Sequence, residues 1–334
     1  MRQAVAMSAV ILLLTSVADA HEGWGVAVHE QLGVVVSDIP GNVVWRVVGR
    51  RFEPLIRDVH SHELVVGSDG AIYGTNPEPA GNLSSVWRID GTGNVSYVLR
   101  PSADLLLGLQ SFLITSTGAI YSVNKYDHAR PAIVLLRRDR SGEIRTVAGG
   151  AKGFTDGPSR SARFSGIDGM RQGTDGALVI ADGARIRLVT PAGHVSTVTA
   201  PLTHPRWGED LLGLSSVREK TIHVADHAGR RVLRVNLTNG KTEAVDKSDL
   251  FWAPSGVELS HDGLFVLEHL RPPLSMPGDL QVGPYLRVRR IVPGESSTTL
   301  AVAWGRHSWN AAMAIAAVLI AGWLGYRWRR RLRH

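Results

Sequence analysis

The chain has 334 residues, with 37 lysines and arginines, 30 aspartates and glutamates, 13 histidines and no cysteine. The lack of cysteine excludes a disulfide scaffold, a thiol nucleophile, a thiolate metal site and a lipidated N-terminal cysteine. The basic excess is concentrated at the C-terminal end, since residues 21–326 carry 31 basic and 29 acidic side chains and five arginines follow them. The charge therefore does not indicate a nucleic-acid partner.

The first 20 residues have the features of an export signal. Arg2 is followed by an apolar run from Ala4 to Leu14, which is short for a membrane span, and Ala18-Asp19-Ala20 offers a small-x-small cleavage site. This pattern predicts a secretory signal peptide over residues 1–20, cleaved after Ala20. The alternative is an uncleaved N-terminal anchor.

The stretch Gly149–Thr199 has four short strand patterns separated by turn signals. The turns contain Asp175-Gly176 and Pro191-Ala192-Gly193, where glycine supplies a positive φ. The predicted strands are Ile167–Gln172, Ala177–Ala181, Arg185–Thr190 and His194–Thr199. Four meandering strands in about 40 residues are typical of one blade of a β-propeller.

The same pattern occurs six times along the chain. The six predicted blades are Trp24–Asp58, His60–Arg100, Leu105–Gly149, the stretch just described, Leu211–Asp246 and Pro254–Trp304. Six copies fill one closed ring, so the sequence predicts an all-β fold, a single six-bladed propeller over residues 21–305. No strand is left over for exchange between the first and last blades, which predicts that the ring closes by packing.

A second apolar segment follows the propeller. Residues 311–326 carry no charge, Trp309 and Trp328 lie at its two ends, and five arginines follow or overlap its C-terminal end. This length and these flanks predict a transmembrane helix over 309–328 and a cytoplasmic basic tail over 329–334. The sequence thus predicts a single-pass cell-membrane protein, with the propeller on the extracytoplasmic (periplasmic or extracellular) side. Processing of the span as a sorting signal stays open as a minority alternative.

One blade resembles the NHL repeat. The residues that carry the resemblance are Gly153-Phe154-Thr155-Asp156-Gly157, Ala162-Arg163-Phe164, Ile180-Ala181-Asp182 and Ile186-Arg187-Leu188-Val189-Thr190. The other blades match this pattern in outline only. The resemblance implies a propeller fold and leaves the chemistry open.

The predicted second strands all end in an acidic or amide residue. These ends are Asp38, Asn76, Asn124, Asp182, Asp226 and Glu268. Calcium takes six to eight oxygen ligands, so a ring of such groups could bind it. The favoured interpretation is structural, because Asp and Asn cap tight turns and a repeat protein places the same cap in each repeat.

The predicted starts of the first strands form a second column: Trp24, His62, Gln110, Asp168, Leu212 and Ser255. Parts of the chain resemble the six-bladed gluconolactonase, strictosidine-synthase-like and paraoxonase proteins. The matching stretches are His21-Glu22-Gly23-Trp24, Tyr73-Gly74-Thr75-Asn76 and Ala253-Pro254-Ser255-Gly256-Val257. This resemblance implies a divalent metal held by Asp168, Asn76, Glu22 and Asp226, with His62 as general base.

Two functions follow from these patterns. Asp168 is the only carboxylate in the first-strand column, which favours a non-enzymatic binding or scaffold module without a cofactor. Its ligand, a protein, a glycan or a small molecule, would contact the face that carries the long loops. The expected ligand-binding residues there are Asp168, Asn76, Asn124, Asp226, Glu268 and Ser255. The alternative is a calcium-dependent lactonase or esterase, with metal ligands Asp168, Asn76 and Glu22 and with His62 as catalytic base.

Overall fold

The fold was analysed in a computed structural model, which describes residues 22–77, 84–102, 111–126, 132–203, 211–270 and 284–304. The predicted signal peptide, transmembrane helix and basic tail lie outside these residues. Among the residues that the structure describes, no helix is long and apolar enough to span a bilayer.

The described chain forms six antiparallel sheets around a common centre, which confirms the predicted all-β six-bladed propeller. The first three blades contain twelve strands. They are β1 (Val26–His29), β2 (Gly33–Asp38), β3 (Val43–Val48) and β4 (Arg51–Arg57); β5 (Leu64–Val66), β6 (Ile72–Pro77), β7 (Ser84–Ile89) and β8 (Val95–Ser102); and β9 (Phe112–Ile114), β10 (Ile120–Tyr126), β11 (Ala132–Arg138) and β12 (Ile144–Ala151).

The last three blades contain thirteen strands, because blade four has one more than the others. They are β13 (Gly157–Pro158), β14 (Ile167–Gln172), β15 (Leu178–Asp182), β16 (Arg185–Val189) and β17 (His194–Thr197); β18 (Leu211–Leu214), β19 (Thr221–Asp226), β20 (Arg231–Asn236) and β21 (Thr242–Lys247); and β22 (Trp252–Ser260), β23 (Gly263–Leu270), β24 (Pro284–Ile291) and β25 (Thr298–Trp304). A 3-10 turn at Ser159–Ser161 follows β13.

The ring closes by side-chain packing, as the sequence predicts. Each sheet consists of consecutive strands of the chain, so blades one and six exchange no strand among the residues that the structure describes. Val26 and Val36 of blade one pack instead against Phe265 and Leu267 of blade six. The hydrophobic cores thus lie between adjacent blades, where the facing surfaces of two twisted sheets pack together.

Glycines bring the innermost strands close together. A Cβ atom on Gly169 would lie 2.4 Å from the Leu212 carbonyl oxygen, and one on Gly256 would lie 2.4 Å from the Trp24 carbonyl oxygen. Any larger residue would push these backbones apart. The centre of the propeller is therefore narrow between blades four and five and between blades six and one.

The residues that resemble an NHL repeat stabilise blade four. The Arg187 side chain is fully buried and donates to Asp182 Oδ2 and Asp156 Oδ1, both at 2.7 Å, and to the carbonyl oxygens of Thr155 and Arg163. Its guanidinium also lies 4.7 Å from the ring centroid of Phe154. Asp156 accepts hydrogen bonds from Thr197 on the outer strand, so this network holds β13 against β17.

Candidate functional site

The start of each first strand and the end of each second strand share one edge of the ring, which we call the channel mouth. Of the first-strand column, Gln110 lies outside the described residues. Trp24, His62 and Ser255 are buried, and Asp168 and Leu212 are partly exposed. Ser255 and His62 thus lie at the channel mouth, as expected, but their side chains are buried.

In three blades the column residue lies in a β-bulge. The strand register shifts between Ile167 and Met170, between Leu211 and Leu214, and between Pro254 and Gly256. These shifts enclose Asp168, Leu212 and Ser255. Bulges redirect side chains and are frequent beside active sites. Blades four, five and six therefore have modified backbones at the channel mouth.

The acidic ends of the second strands act mainly as turn caps. Asp38 Oδ1 accepts from the Gly41 backbone at 2.9 Å, and Asp226 Oδ1 accepts from the Gly229 backbone at 2.8 Å. Asp182 Oδ1 accepts from the backbone of Ser165 and Gly166. These contacts are the ones that the capping interpretation predicts.

The three remaining second-strand ends differ from one another. Asn76 Oδ1 accepts from the His60 backbone at 3.0 Å, and Asn124 lies in β10 in register with Val134. Glu268 is fully buried and accepts from Arg287 Nε at 2.5 Å and from Arg289 Nε at 2.8 Å. Asp226 likewise accepts from Arg231 Nε at 2.7 Å. Both carboxylates are therefore neutralised by arginine residues of their own blades.

Four side chains from blades one, five and six converge at the channel mouth: Glu22, His227, Ser255 and His269. We call them the mouth cluster. His227 Nδ1 lies 3.1 Å from the Pro254 carbonyl oxygen, and because a carbonyl only accepts, Nδ1 must carry the proton. In the neutral ring the lone pair of Nε2 then faces Glu22 Oε1 at 3.7 Å. Two acceptors this close repel each other, unless His227 is protonated or a group beside them donates a hydrogen bond to each.

The second histidine of the mouth cluster has a free ring nitrogen. His269 Nδ1 lies 3.0 Å from Ser255 Oγ, and both residues are buried. His269 Nε2 is buried and has no hydrogen-bond partner among the described residues. Burial lowers the pKa of His269 to about 4. The neighbouring His227 also lowers it, whereas nearby carboxylates raise it by less than burial lowers it. The His269 ring is therefore neutral at physiological pH, and its Nε2 is a buried hydrogen-bonding atom at the channel mouth.

His62, the expected general base, lies beside the mouth cluster in an aromatic environment. Its ring centroid is 4.9 Å from that of Trp24 and 5.0 Å from that of His60. The Trp24 backbone nitrogen donates to the His62 carbonyl oxygen at 2.8 Å, which fixes the two first-strand starts against each other. Asp168 is held at its own carbonyl oxygen by Ser111 Oγ from blade three.

The expected metal ligands do not form a recognisable metal centre. In the described ranges no group of three or more histidine, aspartate or glutamate side chains is arranged to hold a metal ion. Glu22 lies beside a histidine nitrogen of His227, whereas calcium prefers oxygen ligands. The described residues therefore do not fit a calcium site.

A buried ion triad lies in the channel, with each member from a different blade. Arg171 Nη1 contacts Glu63 Oε1, and Arg171 Nη2 lies 4.0 Å from Glu258 Oε2. We call these residues the axial triad. They belong to blades two, four and six, and all three are buried. The axial triad connects alternate blades at the centre of the ring.

The axial triad and the mouth cluster give opposite pH dependences. Burial raises the pKa of Glu63 to about 7, although Arg171 opposes this change. The folded state therefore binds a proton at Glu63 more tightly than the unfolded state does. This contribution to the free energy of unfolding is fully present below the ordinary pKa of 4.5 and is lost as the pH rises through 7. His269, with its pKa lowered to about 4, contributes stability that is present above 6.5 and lost as the pH falls towards 4.

We therefore expect Glu63→Gln to make the protein more sensitive to acid between pH 7 and pH 4.5. The variant lacks the group that binds a proton on folding, so its free energy of unfolding should fall more steeply on acidification than that of the wild type. His269→Asn should fall less steeply. Urea unfolding at several pH values measures these slopes, and equal slopes in all three proteins would contradict the assignment.

Comparison with known proteins adds evidence on the fold. No protein-family model matches the chain, and no curated protein matches it in sequence. Among solved structures, a calcium-binding regucalcin from Agrobacterium tumefaciens is 13% identical over 76% of this chain and 84% of its own, with a TM-score of 0.53. A putative gluconolactonase is 13% identical over 75% and 87% of the two chains, with a TM-score of 0.53. A streptogramin B lyase is 14% identical over 84% and 83%, with a TM-score of 0.51. The expected structural resemblance to gluconolactonase-type propellers is thus confirmed at the level of the fold.

The sequence patterns did not indicate His227, His269 or the axial triad. One signal was present, since an acidic residue is followed by histidine at the same place in blades five and six, as Asp226-His227 and Glu268-His269. In both blades the acidic residue is neutralised by arginine, and the histidine reaches the channel mouth.

Proposed function

We propose that this protein is a membrane-anchored extracytoplasmic propeller that binds a small ligand at the channel mouth, through the mouth cluster. The predicted signal peptide and the predicted C-terminal span are the sequence features that support the location. Ser255 was expected in the site, and Asp168 and Asn76 lie near the same edge of the ring. His227 and His269 are additions from the geometry.

The observation that carries this proposal is the buried Nε2 atom of His269. A buried polar atom without a partner costs about 1–3 kcal/mol. Among the described side chains that contain such an atom, His269 is the one that belongs to the mouth cluster. Ser255 Oγ fixes the ring from the other side. A bound molecule with a hydrogen-bonding atom would satisfy Nε2 and recover this cost.

The chemistry of the mouth cluster favours a neutral, hydroxylated ligand. His269 is uncharged at physiological pH, and the carboxylate of Glu22 would repel an anion. A hydroxyl group both donates and accepts, so it can satisfy His269 Nε2 in either tautomer. Two adjacent hydroxyl groups can also donate one hydrogen each to His227 Nε2 and to Glu22. Sugars, polyols and lactones that carry hydroxyl groups meet these requirements.

A thermal-shift screen of simple sugars, polyols and aldonolactones tests this proposal. At least one compound should raise the Tm of the wild type and should not raise that of His269→Phe, because a ligand that binds only the folded state stabilises it. His261→Phe is the matched control, since the His261 side chain is 87% exposed. If His269→Phe does not fold, Ser255→Ala, which removes the contact that fixes the ring, replaces it. Absence of any stabilising compound, or equal stabilisation of wild type and variant, would contradict the proposal.

A hydrolase is the second candidate. The observation that favours it is the contact of a hydroxyl with a neutral imidazole, Ser255 Oγ to His269 Nδ1 at 3.0 Å, since this pair can move a proton. A structure of similar fold carries the name putative gluconolactonase. In its metal-dependent form, with Asp168, Asn76 and Glu22 as ligands and His62 as base, it requires a stoichiometric ion. Elemental analysis of the purified protein, with Tm values in EDTA and in added calcium, would separate this candidate from simple binding.

A further inference from the structure

The channel-mouth edge of blade six carries a highly exposed tryptophan. The strand register pairs Trp252 with Leu270 and Pro284 with Trp304, so these four residues lie at the ends of their strands on the same edge as His269. The Trp304 side chain is 65% exposed, although tryptophan is usually largely buried in a soluble protein. This edge therefore presents an aromatic ring to its surroundings.

The turn from blade five to blade six presents two more apolar side chains at this edge. Leu250 is 71% exposed, and with Trp304 it is one of the two most exposed large apolar residues in the described part of the chain. Phe251, also exposed, has a φ of 74°, a conformation that is costly for a bulky residue and persists only where its surroundings impose it. Arg230 holds this turn by donating to the carbonyl oxygens of Asp249 and Trp252.

Covalent geometry places this edge close to the apolar C-terminal segment. Trp304 ends the last strand, and the apolar segment of the sequence begins at Trp309. An extended chain covers at most about 3.6 Å per residue, so Trp304 lies within about 18 Å of Trp309. If the segment spans a bilayer, the edge that carries Trp304 cannot lie farther from the interface than this.

We propose that the channel-mouth edge of blade six rests on the surface of the lipid bilayer, with Leu250, Phe251 and Trp304 inserted into the interface. This proposal rests on the proposed membrane anchor and adds the orientation of the propeller. Aromatic and aliphatic side chains gain stability at the headgroup level. The mouth cluster then opens towards the membrane, and its ligand enters from the gap between the propeller and the headgroups.

A site-specific depth measurement tests this orientation. Because the chain contains no cysteine, Leu250→Cys in the full-length protein carries a spin label at one position only. The control is Val48→Cys, which is 42% exposed at the end of β3 on the opposite edge of the ring. Both proteins are reconstituted into vesicles of phosphatidylethanolamine and phosphatidylglycerol. The ratio of oxygen to nickel-chelate accessibility then reports the depth of each label.

We expect this ratio to be several-fold higher at position 250 than at position 48, where it should equal the value in water. Equal aqueous values at both positions would overturn the proposed orientation. Alkaline carbonate extraction of the same vesicles separates the causes. A chain that resists extraction while both labels are aqueous refutes the orientation alone, whereas a chain that is extracted refutes the membrane anchor as well. Neither result affects the ligand screen with His269→Phe.

Discussion

Arg171→Met should lower the free energy of unfolding by about 3–5 kcal/mol, which is the usual cost of removing one partner from a buried ion pair. The substitution leaves the carboxyl groups of Glu63 and Glu258 in the channel without their cation, and the loss should be largest above pH 7, where Glu63 would be ionised. Because these groups come from blades two, four and six, the loss should weaken the whole ring. Urea unfolding of the purified protein measures the change.

A triple variant serves as the control for this prediction. In Glu63→Gln, Arg171→Met, Glu258→Gln the buried charges are removed together, so most of the stability lost in the single variant should return. If the single and triple variants are equally destabilised, the effect of Arg171→Met comes from packing. That result would contradict an electrostatic role for the axial triad.

Arg187→Met should have an effect of similar size, about 3–5 kcal/mol, because it leaves the buried carboxylate of Asp182 without its cation. It also removes the donors to Asp156 and to two backbone carbonyl oxygens. We expect β13 to detach from β17 in this variant. Faster amide hydrogen exchange at Gly157 and Val195, together with reduced stability in urea, would show the change.

Arg185 provides a matched control in the same strand. Its guanidinium lies 4.2 Å from the Phe154 ring centroid, and the residue is only partly buried. Arg185→Met should therefore cost about 1 kcal/mol or less, as expected for an accessible cation–π contact. A loss as large as that of Arg187→Met would show that blade four is sensitive to any substitution in β16.

The propeller could be predicted because its signals are local. The Asp175-Gly176 turn and the alternating residues around it place β15 and β16 within one residue of their observed bounds. The capping role of Asp38, Asp182 and Asp226 is also local, since each side chain bonds the backbone of a nearby turn or of the strand beside it.

The sequence patterns named Glu22 and Ser255 of the mouth cluster but not its two histidines, because the positions of these depend on contacts that only the closed ring creates. Glu22 precedes blade one, whereas His227, which it contacts, belongs to blade five. Likewise, Glu63 and Arg171 are 108 residues apart. A glutamate in a strand pattern usually indicates an exposed face, and only the closed ring places Glu63 and Glu258 at its centre. The pairing of β13 with β17 could not be predicted either. The repeat motif identifies the residues of this blade but does not say which of them pair.

Histidine-selective ¹⁵N NMR of the protein tests the mouth cluster most directly. The resonances of His269 are identified by their loss in His269→Asn. The ring should remain neutral on acidification down to about pH 4, and its Nε2 resonance should shift when a stabilising sugar, polyol or lactone is added. A ring that titrates near its ordinary pKa of 6.5, with an Nε2 resonance unaffected by these compounds, would contradict a buried ligand-binding histidine at the channel mouth.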